Sequence, residues 1–460
     1  MAGVLLAVAA FAVYRASFVE RYYDHFVWQA SAFLEGQAAI RYPVATTAER
    51  FGNWYFQDVL PIGQVDGVGR GLIPFPPLPA LVLVPFVAAF GLDADDQLIF
   101  TVLAALDVAA CWWLIGRLGV SSVVRAGTTV AFAFGTVFWY TAQNTTTWYQ
   151  AHIVAVGITM VAVGLALEAD RAAERDEVTA RAPASTSIVR RRRPAIDRRA
   201  FVIGFLLGLA STARLTVILA APFFVLVGPG RDWRRRGWSV ALGAAMPVGA
   251  LLAYNIATTG HVFHPAYDHL YQIEARAYTG LGYHPEWAAE DPRYLPQNLA
   301  IMLFSTPELL PDRQRDTLGT LDRPLCAAPD ARRGLFDPDC PLALPRDTGM
   351  SVLLTSPALL LAILAWLDRR RRRIVAAASI AVVLVSVANL MHFSQGWVQF
   401  GYRFSNDVVP FVLVLVAIGF GWLVDRVPRR AWAMPVAIGL IVLSIAVNAW
   451  GVLWGRILGW

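Results

Sequence analysis

Charge is scarce in this chain: 16% of its 460 residues are charged and 57% are hydrophobic, with a mean hydropathy of +0.51. That balance excludes an ordinary soluble domain, which could not hide so much apolar surface from water. Lysine is missing altogether. All 39 basic residues are arginine, a compositional bias that carries no functional weight. Also lacking are a Walker A phrase, a Gly-rich dinucleotide turn after a strand and zinc-type cysteine pairs, and no internal repeat of the kind found in secondary transporters occurs. The apolar run Met1 to Tyr14 has no basic region before it and no small-residue cleavage motif after it. It is therefore expected to be a retained first helix rather than a signal peptide.

What the chain does have is long apolar runs. Several approach the roughly 18–20 residues needed to cross about 30 Å of hydrocarbon. In lipid such runs must be helical to satisfy their own backbones, so the fold class is an all-α polytopic membrane protein. The formal net charge of +6 would suit nucleic acid, but the arginines cluster between apolar runs, where cytoplasmic loops carry them. No nucleic-acid partner is expected. The clusters Arg190–Arg193, Arg231–Arg236, Arg369–Arg373 and Arg426 with Arg429 and Arg430 orient the spans.

With Phe201 to Val227 flanked by cytoplasmic arginines on both sides, that segment must cross an even number of times. It is too short for two full spans and is read as two short helices meeting near Arg214. The remaining spans are Leu98–Gly116, Ala126–Thr141, Trp148–Leu167, Trp238–Ala257, Ser351–Leu367, Ile374–Leu390, Val408–Val424 and Trp432–Leu453. This gives about eleven segments with the first helix included. One domain of 1–460 follows, with a first outer loop at 15–97, an Arg-rich cytoplasmic linker at 169–200 that touches membrane lipid, and a second outer loop at 258–350. Leu72–Phe90, interrupted by prolines including Pro85, is read as lying in the outer interface with Trp54, Tyr55 and Phe56. Cys111 sits in a span as an apolar residue. Cys326 and Cys340 share the second outer loop, as a disulfide in an oxidising compartment or as two thiols. All seven histidines fall at or beyond the outer boundary.

Charged residues at the ends of membrane helices are costly and are the first candidates for function. Asp24 stands where the first helix leaves the membrane, in Arg21-Tyr22-Tyr23-Asp24-His25, and Trp28, Ala32 and Gly36 follow at four-residue steps. That spacing predicts a juxtamembrane helix with one small and aromatic face, stopped at Gly36.

This phrase resembles the GT-C superfamily of membrane glycosyltransferases, in particular the lipid-phosphate-sugar-dependent members grouped with family 39 and the Rgt-like bacterial enzymes. Pro76-Pro77-Leu78, Phe90-Gly91 and the late phrase Phe400-Gly401-Tyr402-Arg403-Phe404 with Asp407 and Pro410 match the family pattern as well. The resemblance implies transfer of a sugar from a polyprenyl-phosphate donor to an acceptor glycan, lipid or protein on the outer face of the plasma membrane. In an inverting transfer a carboxylate takes the acceptor proton and guanidinium groups hold the leaving phosphate.

Asp24 is the first choice of base and Asp58, beside Trp54, Tyr55 and Phe56, the second. Arg214 and Arg403 are the phosphate ligands, with His25, His152 and Tyr402 as further substrate contacts. For Arg403 a salt bridge to Asp407 is the alternative role, and for Arg214 a snorkelling side chain. The turn Gln143-Asn144-Thr145-Thr146-Thr147-Trp148 departs from the family by lacking an acidic residue, and His152 is its nearest titratable group. His261, His264 and His269 with Asp268 fit no standard zinc spacing and are read as loop surface. No cofactor is implied, with a divalent ion left open. The rival class is a transporter or lipid flippase without covalent chemistry.

Overall fold

The computed structural model describes residues 1–20, 23–43, 56, 58–65, 67–180, 196–230, 232–269, 284, 286–317, 321–394, 396, 398–426 and 431–460, with 176–180 and 425–426 described by their backbone alone. Trp54, Tyr55, Arg190–Arg193, Arg231, Arg429 and Arg430 lie outside the described residues. Among those described, six helices are long and apolar enough to cross a bilayer: Asp96–Gly116, Thr147–Arg175, Trp233–Thr259, Arg369–Leu390, Arg403–Val424 and Ala433–Leu458. The chain is thus a helical membrane protein.

In chain order, α1 (Ala2–Ser17) and α2 (His25–Leu34) are followed by a small sheet. Its strands are β1 (Ile40–Pro43), β2 (Leu60–Val65) and β3 (Val68–Leu72), antiparallel in the order β1-β3-β2. Then come α3 (Leu78–Phe90), α4 (Asp96–Gly116), α5 (Ser122–Gly135), α6 (Phe138–Asn144), α7 (Thr147–Ala180), α8 (Arg198–Ser211), α9 (Ala221–Leu226) and α10 (Trp233–Thr259). The second large loop holds α11 (Leu295–Phe304) and two short hairpins, Glu308–Leu309 with Ala343–Leu344 and Arg313–Arg315 with Asp322–Pro324. The chain ends on α12 (Val352–Thr355), a 3₁₀ segment Pro357–Leu367, α13 (Arg372–Leu390), α14 (Val409–Arg426) and α15 (Ala433–Leu458).

Strands in the two large loops are an addition to the all-α reading, and they matter for position. Leu60 pairs with Leu72, so Asp58 and the Pro74–Pro76 phrase emerge from the same end of one hairpin.

Two expected spans are broken. In Ala126–Thr141 the helix stops at Gly135 and restarts at Phe138, with Thr136 extended (φ −129°, ψ 166°). Within Ser351–Leu367 the break falls at Ser356, whose backbone leaves the helical region (φ −136°, ψ 63°) because the following Pro357 crowds it. The break near Arg214 is present. Helix α8 ends at Ser211, Arg214 is extended (φ −136°, ψ 101°), and a 3₁₀ turn Leu215–Ala220 leads into α9. Close packing holds this broken segment: a Cβ at Gly204 would collide with the Val240 backbone of α10, and one at Gly243 with the Phe201 carbonyl of α8. Without a hydrophobic force between helices in lipid, such small-residue contact is what lets backbones meet.

Candidate active site

Four elements converge on one buried carboxylate. Asp407 sits in a 3₁₀ turn, Arg403–Val408, that leads into α14. Arg214 donates to it from Nη2 at 2.9 Å and from Nε at 3.1 and 3.2 Å. Thr216 Oγ1 donates at 3.3 Å and Asn389 Nδ2 at 3.0 Å, and His152 Nδ1 lies 2.8 Å from Oδ1. The break in the α8–α9 segment thus serves a purpose, since it turns Arg214 and Thr216 onto Asp407. The expected alternatives are corrected accordingly: Asp407 pairs with Arg214, not with Arg403, and Arg214 is an ion-pair partner rather than a snorkelling side chain.

Arg403 has no such partner. Its backbone N–H donates to Gln399 Oε1 at 2.8 Å, and its guanidinium lies 5.3 Å from the Tyr149 ring centre and 5.6 Å from that of Phe404. The Phe404 ring also carries Arg214 at 5.0 Å, so one aromatic separates the two cations. Arg403 is only 9% exposed, its Nε has no hydrogen-bond partner, and it forms no ion pair among the described residues. Gly396, at φ +89°, makes room for it: a Cβ there would lie 2.7 Å from Arg403 Nε.

Asp58 is the matching anion. It is 3% exposed, and its Oδ2 accepts no hydrogen bond. Burial pushes its carboxyl up to about 7, while a hydrogen bond from Trp148 and the Arg403 charge act to hold it down. Asp58, Arg214 and Arg403 all line one cavity of about 1170 Å³, together with Tyr23, Pro74, Phe75 and Pro76. One wall is apolar, made by Leu215, Ile218 and Leu219 of the broken segment and Leu251 and Leu252 of α10. The second loop also lines it, through Glu308, Arg346 and Asp347 among others, as do His392 and Glu290, which contact each other at 3.1 Å. Cys326 and Cys340 are disulfide-bonded in that loop.

The first-choice base falls elsewhere. Asp24 does not line the cavity; its Oδ1 accepts from Trp28 Nε1 at 3.1 Å. Burial pushes its carboxyl up to about 6. The aromatic at plus four therefore has a local explanation, because Trp28 caps the carboxylate and packs on Phe56 at 5.3 Å. His25 is also outside the lining, buried where its N–H and ring nitrogen meet Thr147 Oγ1 at 3.1 and 3.2 Å. His152 and Tyr402 are buried behind the wall rather than on it. Among the histidines read as loop surface, His264 lines the cavity with Asp268. No group of three His, Cys, Asp or Glu is placed to hold a metal among the described residues.

Among the buried acids that escaped the reading of the sequence are Asp96 and Asp107. Asp96, at the start of α4, accepts from Gln150 Nε2 and feels the charge of Asp24. Asp107, mid-way along α4, is buried with Oδ2 unpartnered and packs on Gly157. The signal was available for Asp107, an ionisable residue in the middle of an apolar run.

No family model, curated protein or solved structure matches this chain.

Proposed function

We propose that the chain is a membrane glycosyltransferase of GT-C type, moving a sugar from a polyprenyl phosphate to an acceptor hydroxyl on the outer side of the plasma membrane. The observation that carries this reading is that one cavity is lined by Asp58, whose Oδ2 accepts no hydrogen bond, by Arg403, which has no carboxylate partner among the described residues, and by the apolar side chains Leu215, Ile218, Leu219, Leu251 and Leu252. A lipid-borne anion fits such a site, its phosphate on the free cation and its chain along the apolar wall. In this proposal the chain crosses the membrane about eleven times and the loops 15–97 and 258–350 face outward.

The chemistry is an in-line displacement. The acceptor oxygen forms its bond to the anomeric carbon as the bond from that carbon to the phosphate oxygen breaks, which inverts the centre. Asp58 Oδ2 takes the acceptor proton, and the phosphate leaves with the electron pair toward Arg403. A carboxyl poised near 7 suits this work, because a base is most effective when its pKa lies near the working pH. Asp24, hydrogen-bonded to Trp28 and off the cavity, becomes the second candidate.

The test is incubation of the purified full-length protein with a panel of polyprenyl-phosphate sugars and an envelope glycan extract, with donor loss read by mass spectrometry. Loss of one donor, abolished in Asp58→Asn, supports the assignment. An untouched panel, with the cavity labelled from both faces of the membrane, would instead favour a transporter.

A further inference from the structure

The turn between α6 and α7, Gln143 to Thr147, is made wholly of amide and hydroxyl side chains, and all five are buried. Several have nothing to bond. Both amide atoms of Gln143, the hydroxyls of Thr145 and Thr146, and Oε1 of nearby Gln150 lack hydrogen-bond partners among the described residues. Native proteins rarely bury polar groups this way, and each instance calls for an explanation. Thr146 directly precedes α7, where a threonine hydroxyl ordinarily caps the first-turn N–H groups, yet its Oγ1 makes no bond. Thr145 is held at φ +31°, ψ 33°, a left-handed conformation that is costly for a β-branched residue and that recurs where strain serves a site. Asn144, Thr146 and Thr147 line the cavity, beside Trp148 and Tyr149, and Trp148 is hydrogen-bonded to Asp58.

Resting on the glycosyltransferase reading above, we infer that this turn is the subsite for the donor's sugar, and that the sugar is uncharged. A sugar hydroxyl both donates and accepts, which amide and hydroxyl side chains satisfy and carboxylates or guanidinium groups satisfy only in part. The Trp148 ring, with Tyr23 at 4.9 Å, offers an apolar face for the sugar's C–H face.

The charges around the cavity disfavour an anionic sugar. Arg214 is committed to Asp407, Arg346 to Glu308 and Arg315 to Asp322, while His392 contacts Glu290. Arg403 is then the one lining arginine without a carboxylate partner among the described residues, and the donor's phosphate takes it. A uronate carboxylate would meet Asp58 with no second cation to hold it.

The experiment measures binding of three probes to the detergent-purified protein: a polyprenyl phosphate without sugar, the same carrier bearing neutral hexoses or pentoses, and the carrier bearing a hexuronate. The expected result is at least tenfold tighter binding of one neutral-sugar carrier than of the hexuronate carrier. Thr146→Val should weaken that neutral-sugar carrier about tenfold and leave the sugar-free carrier within twofold, while Thr146→Ser behaves as wild type. Equal binding of the uronate, or a Thr146→Val change that weakens both carriers alike or neither, overturns the subsite and leaves the glycosyltransferase reading standing. If none of the carriers binds, the glycosyltransferase reading itself falls and the subsite with it.

Discussion

Two arginine and aspartate combinations flank the ring of Phe404, and they are built in opposite ways. Arg214 and Asp407 bond to each other, and Asp407 is further met by His152, Thr216 and Asn389. Arg403 and Asp58 sense each other's charge without pairing, and each leaves a polar atom unpartnered in a cavity wall. The first arrangement compensates its charges and ties α7, the broken segment, α13 and the approach to α14 into one frame. In the second, donor and acceptor capacity is left for something that arrives. Desolvated charge without a partner is costly, so its retention beside a fully compensated cluster marks the place where a ligand makes up the difference.

The comparison breaks most easily at its structural half. Asp407→Ala would strand Arg214 and remove the carboxylate that Asn389 and Thr216 donate to, a loss of about 3–5 kcal/mol typical of removing one partner of a buried ion pair. The expected outcome is a large drop in thermal stability and in yield of inserted protein; a variant as stable as wild type would show that the cluster does not hold the frame. At the other half, Arg403→Gln should leave stability near wild type and cost on the order of 10²–10³-fold in donor turnover, the range seen when a single anion-stabilising donor is removed. Thermal unfolding and donor loss measured on the same preparation separate the two cases.

A smaller effect sharpens the role of Asp58. A general base works deprotonated, so kcat/KM should rise with pH and level off above about 7, where burial has pushed this carboxyl. Trp148→Phe removes a hydrogen bond that holds the pKa down, and the rising limb should then move to higher pH. A limb that stays in place would mean another group titrates. The sign for stability is the reverse. A carboxyl raised on folding binds its proton more tightly in the folded state, so ionising Asp58 lowers stability as pH climbs from its unfolded value near 4 toward about 7.

Local patterns in the sequence went far toward this fold. Apolar run length predicted the long helices, the four-residue steps predicted α2 with its stop at Gly36 (φ +69°), and the paired arginine flanks predicted a break near Arg214. The break at Thr136 was hidden because the residues around it remain largely apolar and hydropathy does not report backbone dihedral angles, whereas Pro357 marks the break at Ser356 in the sequence itself. The site was less legible for a different reason. Asp407 meets His152, Arg214 and Asn389 across separations of 255, 193 and 18 residues, which no local spacing encodes. Asp24 and Asp58 look alike in sequence, each an acid among aromatics. Only the hairpin that sends Asp58 and Pro74–Pro76 out of one end, and the Trp28 contact that occupies Asp24, tell them apart.

The most direct measurement is donor turnover by Asp58→Asn and Asp24→Asn side by side with the wild-type protein, each checked for folding and insertion. The proposal predicts that Asp58→Asn falls by on the order of 10²–10⁴-fold, as expected for a lost general base, and that Asp24→Asn stays within about tenfold of wild type, as expected for a carboxylate off the cavity whose role is local hydrogen bonding. Full turnover by Asp58→Asn, with Asp24→Asn inactive, would contradict it.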